Sequence, residues 1–144
     1  MTLAARTLYN GASGTVQAAQ GMSVQGGDWL NSGQWLSSTL ASGRVDTFTL
    51  SGQASNWGTL SSAQDISLTA DSLLNAKYLV AGGQFNARLT GAGSTSFTNL
   101  NTGWVQAQGI EVDSAHGVQN SGSDRKSTRL NSSHSQQSRM PSSA

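Results

Sequence analysis

The sequence predicts an all-β fold, a parallel β-helix in which the chain coils and stacks its rungs on one another. Three observations support this prediction: a recurring Asn-x-Gly phrase, a period-two alternation of apolar and polar residues after it, and the same residue class at the same place in every repeat. Alternation alone is typical of any strand with one buried face. In-phase repetition favours a stacked coil of about five and a half rungs, because each side chain then lies over its equivalent in the previous rung.

The composition excludes several classes of protein. The chain has 144 residues, with 10% charged residues, 17 Gly, one Pro and no Cys. So little charge argues against a basic nucleic-acid-binding protein, and the lack of Cys removes disulfide scaffolds, thiolate catalysis and Cys-based zinc sites. No apolar run approaches the roughly 20 residues of a membrane span. Residues 1–10 lack the apolar segment of a signal peptide.

The Asn-x-Gly phrase sets the register of the repeat, at positions 12, 31, 56, 75, 101 and 120. Asn side chains stacked at these positions would hydrogen-bond in a ladder, and Gly two places later would permit the φ values of a tight turn. Ala12 and Lys77 depart from the phrase and interrupt the Asn and Gly columns. The predicted structural positions are Asn31, Asn56, Asn75, Asn101 and Asn120, with Gly14, Gly33, Gly58, Gly103 and Gly122.

Strands follow from the alternation within each repeat. A large apolar residue comes four places after each phrase position and a small residue six places after it, a spacing that predicts one buried face. Leu often precedes the Asn, as at Leu30, Leu74 and Leu100, and is taken as part of the same repeating apolar set. The two longer units, 31–56 and 75–101, carry predicted loops near 41–44 and 91–95. The predicted inward positions are Val16, Trp35, Leu60, Leu79 and Val105, then Ala18, Ser37, Ser62, Ala81 and Ala107, and a second strand with Met22, Val24, Ile66, Leu68, Ile110 and Val112.

Residues 124–144 differ abruptly from the rest of the chain. They contain no aromatic residue and hold the one proline, Pro141. The stretches 124–134 and 138–144 resemble, in one reading frame, a translated sequencing adapter; the alternative is a basic, Ser-rich tail that contacts anionic partners. We therefore predict a β-helix fragment over 1–123 and a disordered, adapter-derived tail over 124–144. Without that tail the formal charge moves from +1 to −2, because four of the eight basic residues and one of the seven acidic residues lie in it.

The repeat itself resembles a known family. The phrase that begins at Asn56, continues through Leu60 and ends in the pair Ile66 and Leu68 is similar to the filamentous haemagglutinin repeat. That repeat builds the shafts of large exoproteins of Gram-negative bacteria, including adhesins and contact-dependent growth-inhibition toxins exported by two-partner secretion. The resemblance extends over residues 12–122 and implies a right-handed coil, a secreted or cell-surface location and a role in holding a distal tip away from the cell.

The resemblance also implies partners. These are the neighbouring rungs of the full-length protein, an outer-membrane two-partner-secretion transporter, and a receptor on a host or neighbouring cell. We expect no nucleic-acid partner, cofactor, metal or catalytic residue in the shaft segment itself, and the resemblance does not indicate which tip the shaft carries.

Two alternatives to a purely structural role concern chemistry at the surface. Asp28, Asp46 and Asp71 could meet on stacked rungs and serve a calcium-dependent polysaccharide lyase, although solvated turn residues are the simpler interpretation. Arg44, Lys77 and Arg88 are too dispersed to form a substrate clamp. The adjacent Asp113, Ser114 and His116 lack the flanking motif of a hydrolase.

The four tryptophans offer the second alternative, a surface that binds a glycan or protein partner. Trp104 has the outward parity and Trp57 follows directly after Asn56, so these two are the predicted binding residues. Trp29 is a further exposed candidate. Trp35 occupies an inward position and is predicted to lie in the core.

Overall fold

Short parallel strands wind around three flat faces in the computed structural model, which describes residues 1–38, 44–91 and 95–132. Within these ranges fifteen strands join in one parallel sheet, which confirms the all-β parallel β-helix. No helix long and apolar enough to cross a membrane occurs in the described residues. The strands are β1 (Thr2–Asn10), β2 (Thr15–Ala18), β3 (Ser23–Asn31), β4 (Gln34–Ser37), β5 (Val45–Leu50), β6 (Gln53–Asn56), β7 (Thr59–Ser62), β8 (Asp65–Ala70), β9 (Ser72–Asn75), β10 (Tyr78–Ala81), β11 (Gln84–Leu89), β12 (Thr95–Asn99), β13 (Trp104–Ser114), β14 (Gly117–Asn120) and β15 (Ser123–Ser132).

Each face is a stack of equivalent strands from successive rungs. Face 1 contains the first parts of β1 and β3, then β5, β8, β11, the second part of β13 and most of β15. Face 2 contains the second parts of β1 and β3, then β6, β9, β12 and β14. Face 3 contains β2, β4, β7, β10 and the beginning of β13. The chain makes five turns between Asn10 and Asn120, close to the predicted five and a half.

The core is built from columns of side chains that point inward from the three faces. On face 3 the predicted columns are confirmed: Trp35, Leu60, Leu79 and Val105 are buried, and so are the small residues two places after each. The predicted pairs on face 1, such as Ile66 with Leu68, are buried as well. Because each apolar side chain packs on its equivalent above and below, the interior is one continuous hydrophobic cluster along the coil.

Face 2 corrects the sequence interpretation. Leu30 and Leu74, taken as members of the repeating apolar set, lie on the outward side of β3 and β9 and are half-buried. The inward residues stand one place earlier, because a strand alternates its sides with every residue. They form a column that the sequence analysis missed, with Leu8, Trp29, Ala54, Leu73, Phe97 and Val118.

Two predicted features lie at the limits of the described chain. The loops expected near 41–44 and 91–95 fall largely on residues 39–43 and 92–94, which are outside the described residues. At the other limit, β15 pairs with β13 as far as Ser132, so its backbone runs across the predicted boundary at 123/124. The adapter origin of residues 124–144 and the right-handed sense of the coil stay predictions.

Candidate binding surface

Six buried asparagines form a continuous hydrogen-bonded ladder at the corner between faces 2 and 3. In each rung the Nδ2 amide donates to the Oδ1 oxygen of the next asparagine, with N···O distances from 2.8 to 3.0 Å. A buried amide without partners would cost free energy, whereas a satisfied array stabilises one register. The members are Asn10, Asn31, Asn56, Asn75, Asn99 and Asn120.

Two members of this ladder differ from the predicted set. Asn10 and Asn99 take the places predicted for Ala12 and Asn101, and Asn101 is exposed in the turn. The cause is turn length: Asn10 and Asn99 stand four residues before their Gly, whereas Asn31, Asn56 and Asn120 stand two before theirs. Counting back two residues from Gly therefore missed Asn10 and Asn99, and the predicted interruption of the ladder at Ala12 is wrong.

From Asn10 to Asn99, the second hydrogen of each ladder amide ties the corner to face 3. Asn56 donates to the carbonyl oxygen of Tyr78 at 2.8 Å, and Asn31 donates in the same way to that of Thr59 at 2.9 Å. Each of these five asparagines therefore holds the first residue of the strand that follows the corner in the next rung. The ladder fixes the turn geometry as well as the stacking.

The glycines of the turn phrase are required by close packing rather than by φ. Among the described glycines only Gly21 lies in the left-handed region, with φ of 97°, so the predicted reason for the glycine column is wrong. A Cβ at Gly58 would lie 2.1 Å from the carbonyl oxygen of Gly33, and a Cβ at Gly122 would lie 2.4 Å from that of Gly103. Lys77 occupies the turn position equivalent to Gly58, one rung later.

The three carboxylates proposed for a lyase are not brought together. Asp28 and Asp71 are exposed near the end of face 1, two rungs apart, while Asp46 is buried near the beginning of that face. No cluster of three His, Cys, Asp or Glu side chains suited to a metal ion occurs in the described part of the chain. Asp28 instead accepts a hydrogen bond from the amide of Gln53 at 2.8 Å, and Asp65 does the same for Gln84 at 2.7 Å.

Asp46 is a polar member of an apolar column, next to Ile66 in register. Its side chain is 1% exposed, its Oδ1 accepts from the amide of Met22 at 2.8 Å, and its Oδ2 accepts from the Ser62 hydroxyl. Met22 directly precedes β3 and Ser62 ends β7, so the carboxylate links the beginning of face 1 to the end of face 3. Its surroundings fit an internal brace better than a surface ligand site.

The remaining polar candidates are dispersed. Asp113 points outward from β13, whereas Ser114 points inward and its hydroxyl donates to the backbone carbonyl of His116 at 2.8 Å. A nucleophile and its base must be within hydrogen-bond reach of each other, and this backbone contact is no such pair. Arg88 lies on the outward side of face 1, and Arg44 is exposed immediately before β5.

The tryptophans divide into a core pair and a surface pair. Trp29, predicted as an exposed candidate, is 1% exposed, and that prediction is wrong; Trp35 is buried as predicted. The two rings and Phe48 form a packed group, with edge-to-face centroid distances of 5.4 Å between the indoles and 5.3 Å from Trp29 to Phe48. Trp29 was misplaced because the inward column of face 2 was not recognised.

Trp57 and Trp104 do reach the surface. Trp57 is 50% exposed in the turn before β7, and Trp104 is half-buried on the outward side of β13, where its indole N–H donates to Gln106 Oε1 at 3.2 Å. Tyr78, which the sequence analysis left out of this group, is 47% exposed and stands beside Trp104 in register. Its outward parity, one place before inward Leu79, is the signal that would have identified it.

A coil whose interior is filled by stacked apolar columns and one asparagine ladder defines a β-solenoid repeat protein. The family profile described as haemagglutinin repeat matches residues 2–47 and 41–136. The chain belongs to this family, which confirms the resemblance read from its turn phrase. No curated protein and no solved structure matches the chain.

Proposed function

We propose that this chain is a shaft segment of a large secreted or surface-exposed bacterial protein, an adhesin or a contact-dependent inhibition toxin, and performs no catalysis of its own. The continuous ladder carries the proposal. It runs through every rung from Asn10 to Asn120, so five consecutive turns share one register and form a rod about 24 Å long at the strand spacing of a sheet. Such a rod positions whatever lies beyond it.

Two further features support a structural role. Core columns occupy the inside of all three faces, and the buried carboxylate Asp46 is engaged by Met22 and Ser62. Family membership adds an extracellular setting, because haemagglutinin repeats are characteristic of secreted or surface adhesins. In this setting we propose export through an outer-membrane two-partner-secretion transporter, with a receptor on a host or neighbouring cell engaged by another part of the protein.

Antibodies raised against the 144-residue chain test the location. On intact cells of the bacterium that encodes it, immunogold label is expected outside the outer membrane, and brief external protease treatment is expected to remove it. Label confined to the cytoplasm of sectioned cells, untouched by external protease, would overturn the proposal.

Catalysis is tested separately. The purified chain, supplied with calcium and polygalacturonate, is expected to release no unsaturated oligosaccharides, because Asp28, Asp46 and Asp71 do not share a site. If the parent chain does release unsaturated oligosaccharides, the non-catalytic role is contradicted, whether or not an Asp28→Asn variant also releases them. If the Asp28→Asn substitution abolishes that release, the lyase alternative is restored.

A further inference from the structure

Three exposed or half-exposed aromatic side chains follow one another on successive rungs at the corner of faces 2 and 3. When the rungs are numbered from the one that contains Asn10, Trp57 lies in the turn of the third rung, Tyr78 begins the face-3 strand of the fourth, and Trp104 begins that of the fifth. Large aromatic side chains grouped at a protein surface indicate an interaction site. We name these three residues the aromatic corner.

Lys77 gives the aromatic corner a positive charge. It is exposed, directly precedes Tyr78, and its carbonyl oxygen accepts the amide hydrogen of Trp104 at 2.6 Å. The other turns have Gly in this column, and at Gly58 in the preceding rung a Cβ would crowd the carbonyl oxygen of Gly33. Among the described turns, this position therefore carries a side chain at Lys77 alone, directly before exposed Tyr78.

The polar surroundings favour a sugar over an apolar protein surface. Thr59 precedes Tyr78 in the same outward column, and Gln106 holds the Trp104 indole by a hydrogen bond. Rings interleaved with hydrogen-bonding groups suit a pyranose, whose C–H face stacks on an aromatic ring while its hydroxyls bond at the edges. The rung spacing of about 4.8 Å is close to the length of one pyranose residue in an extended chain.

We propose that the aromatic corner binds an extended acidic glycan, with sugar rings stacked on Trp57, Tyr78 and Trp104 and a uronic acid carboxylate paired with Lys77. The chain lies along the coil axis and crosses three rungs. Local charge complementarity supports the carboxylate contact, because exposed Lys77 directly precedes exposed Tyr78. This binding goes beyond the shaft role and does not depend on it.

Calorimetric titration of the 144-residue chain with a hyaluronan hexasaccharide, compared with neutral chitohexaose, tests the proposal. Trp57→Ala is expected to weaken hyaluronan binding by at least about tenfold. Lys77→Gly restores the residue found in the other turns, so it removes the charge while circular dichroism reports an unchanged fold. It is expected to weaken hyaluronan binding by about twofold to fivefold and to leave chitohexaose binding unchanged.

Tyr9→Ala is the matched control, because Tyr9 is 67% exposed on the first rung, away from the aromatic corner. Hyaluronan binding lost equally in Tyr9→Ala and Trp57→Ala, or no binding by the parent chain, would overturn the proposal. Equal affinity for both oligosaccharides would overturn the carboxylate contact. Self-association of the chain that Trp57→Ala abolishes, in the absence of hyaluronan binding, would identify the aromatic corner as a protein interface instead.

Discussion

Replacing Asn99 and Asn101 separately by alanine tests the ladder, because the two asparagines are two residues apart and differ in environment. Asn99 is fully buried, accepts from Asn75 at 2.9 Å and donates to Asn120 at 2.9 Å. Asn99→Ala removes both bonds and leaves the Asn75 amide without its ladder acceptor. At about 1–3 kcal/mol for each buried polar group that loses its partner, the expected loss of unfolding free energy is about 3 kcal/mol.

Asn101→Ala changes an exposed turn residue and is expected to alter stability by less than about 0.5 kcal/mol. Urea unfolding followed by far-UV circular dichroism measures both variants. Hydrogen exchange at the amides of 97–107 separates local opening from global unfolding, which matters because a solenoid does not always unfold in one step. Equal losses in the two variants, or a loss below about 0.5 kcal/mol in Asn99→Ala, would refute the ladder as a source of stability.

Three further substitutions test packing. Gly58→Ala is expected to lower the unfolding free energy by more than about 2 kcal/mol, because the added Cβ overpacks against the preceding rung. Gly11→Ala, which has space for its Cβ, should change it by less than about 0.5 kcal/mol. Similar urea midpoints for the two variants would contradict this. Asp46→Ala should cost about 2–4 kcal/mol by removing a buried acceptor, and exposed Asp113→Ala almost nothing, measured by thermal melting. Phe48→Ala should cost about 3–5 kcal/mol and redshift the tryptophan emission as water reaches the indoles; unchanged emission would argue against the aromatic group.

Much of the coil could be predicted because stacking requires the same class of side chain at the same position in every rung. Leu60, Leu79 and Val105 occupy one column, and their identical spacing from the turn phrase revealed it. Face 2 lacked this regularity: Ala54 and Trp29 share a column but differ greatly in size. A column whose members compensate for one another in volume has no constant residue class, so periodicity alone does not identify it.

The ladder shows a different limit. A corner accepts a Gly either two or four positions after the Asn as long as both residues keep their places in the stack, so the turn at Asn99 absorbs two extra residues without changing the register. Spacing from Gly therefore misidentified Asn101. Only the hydrogen bonds distinguish the buried amide from the exposed one.

The aromatic corner could be predicted only in part, because two of its residues follow from local geometry and the rest from the register between rungs. Trp104 could be placed by its parity within a strand, and Trp57 by its place in the turn, because both follow from local geometry. Tyr78 and Lys77 can be assigned to the aromatic corner only from the register, which places their rung between the rungs of Trp57 and Trp104.

The one-directional ladder has a mechanical consequence. Successive ladder asparagines are separated by 21, 25, 19, 24 and 21 residues. One side-chain hydrogen bond, together with the backbone hydrogen bonds of the three faces, joins each of these lengths to the next rung. A pulling force applied at one end of the coil would load a single rung at a time. Each release would free about 60–90 Å of extended chain at roughly 3.3–3.6 Å per residue. Under tension the rod would then behave as a series of sacrificial links that lengthen stepwise and dissipate work while the remaining rungs hold.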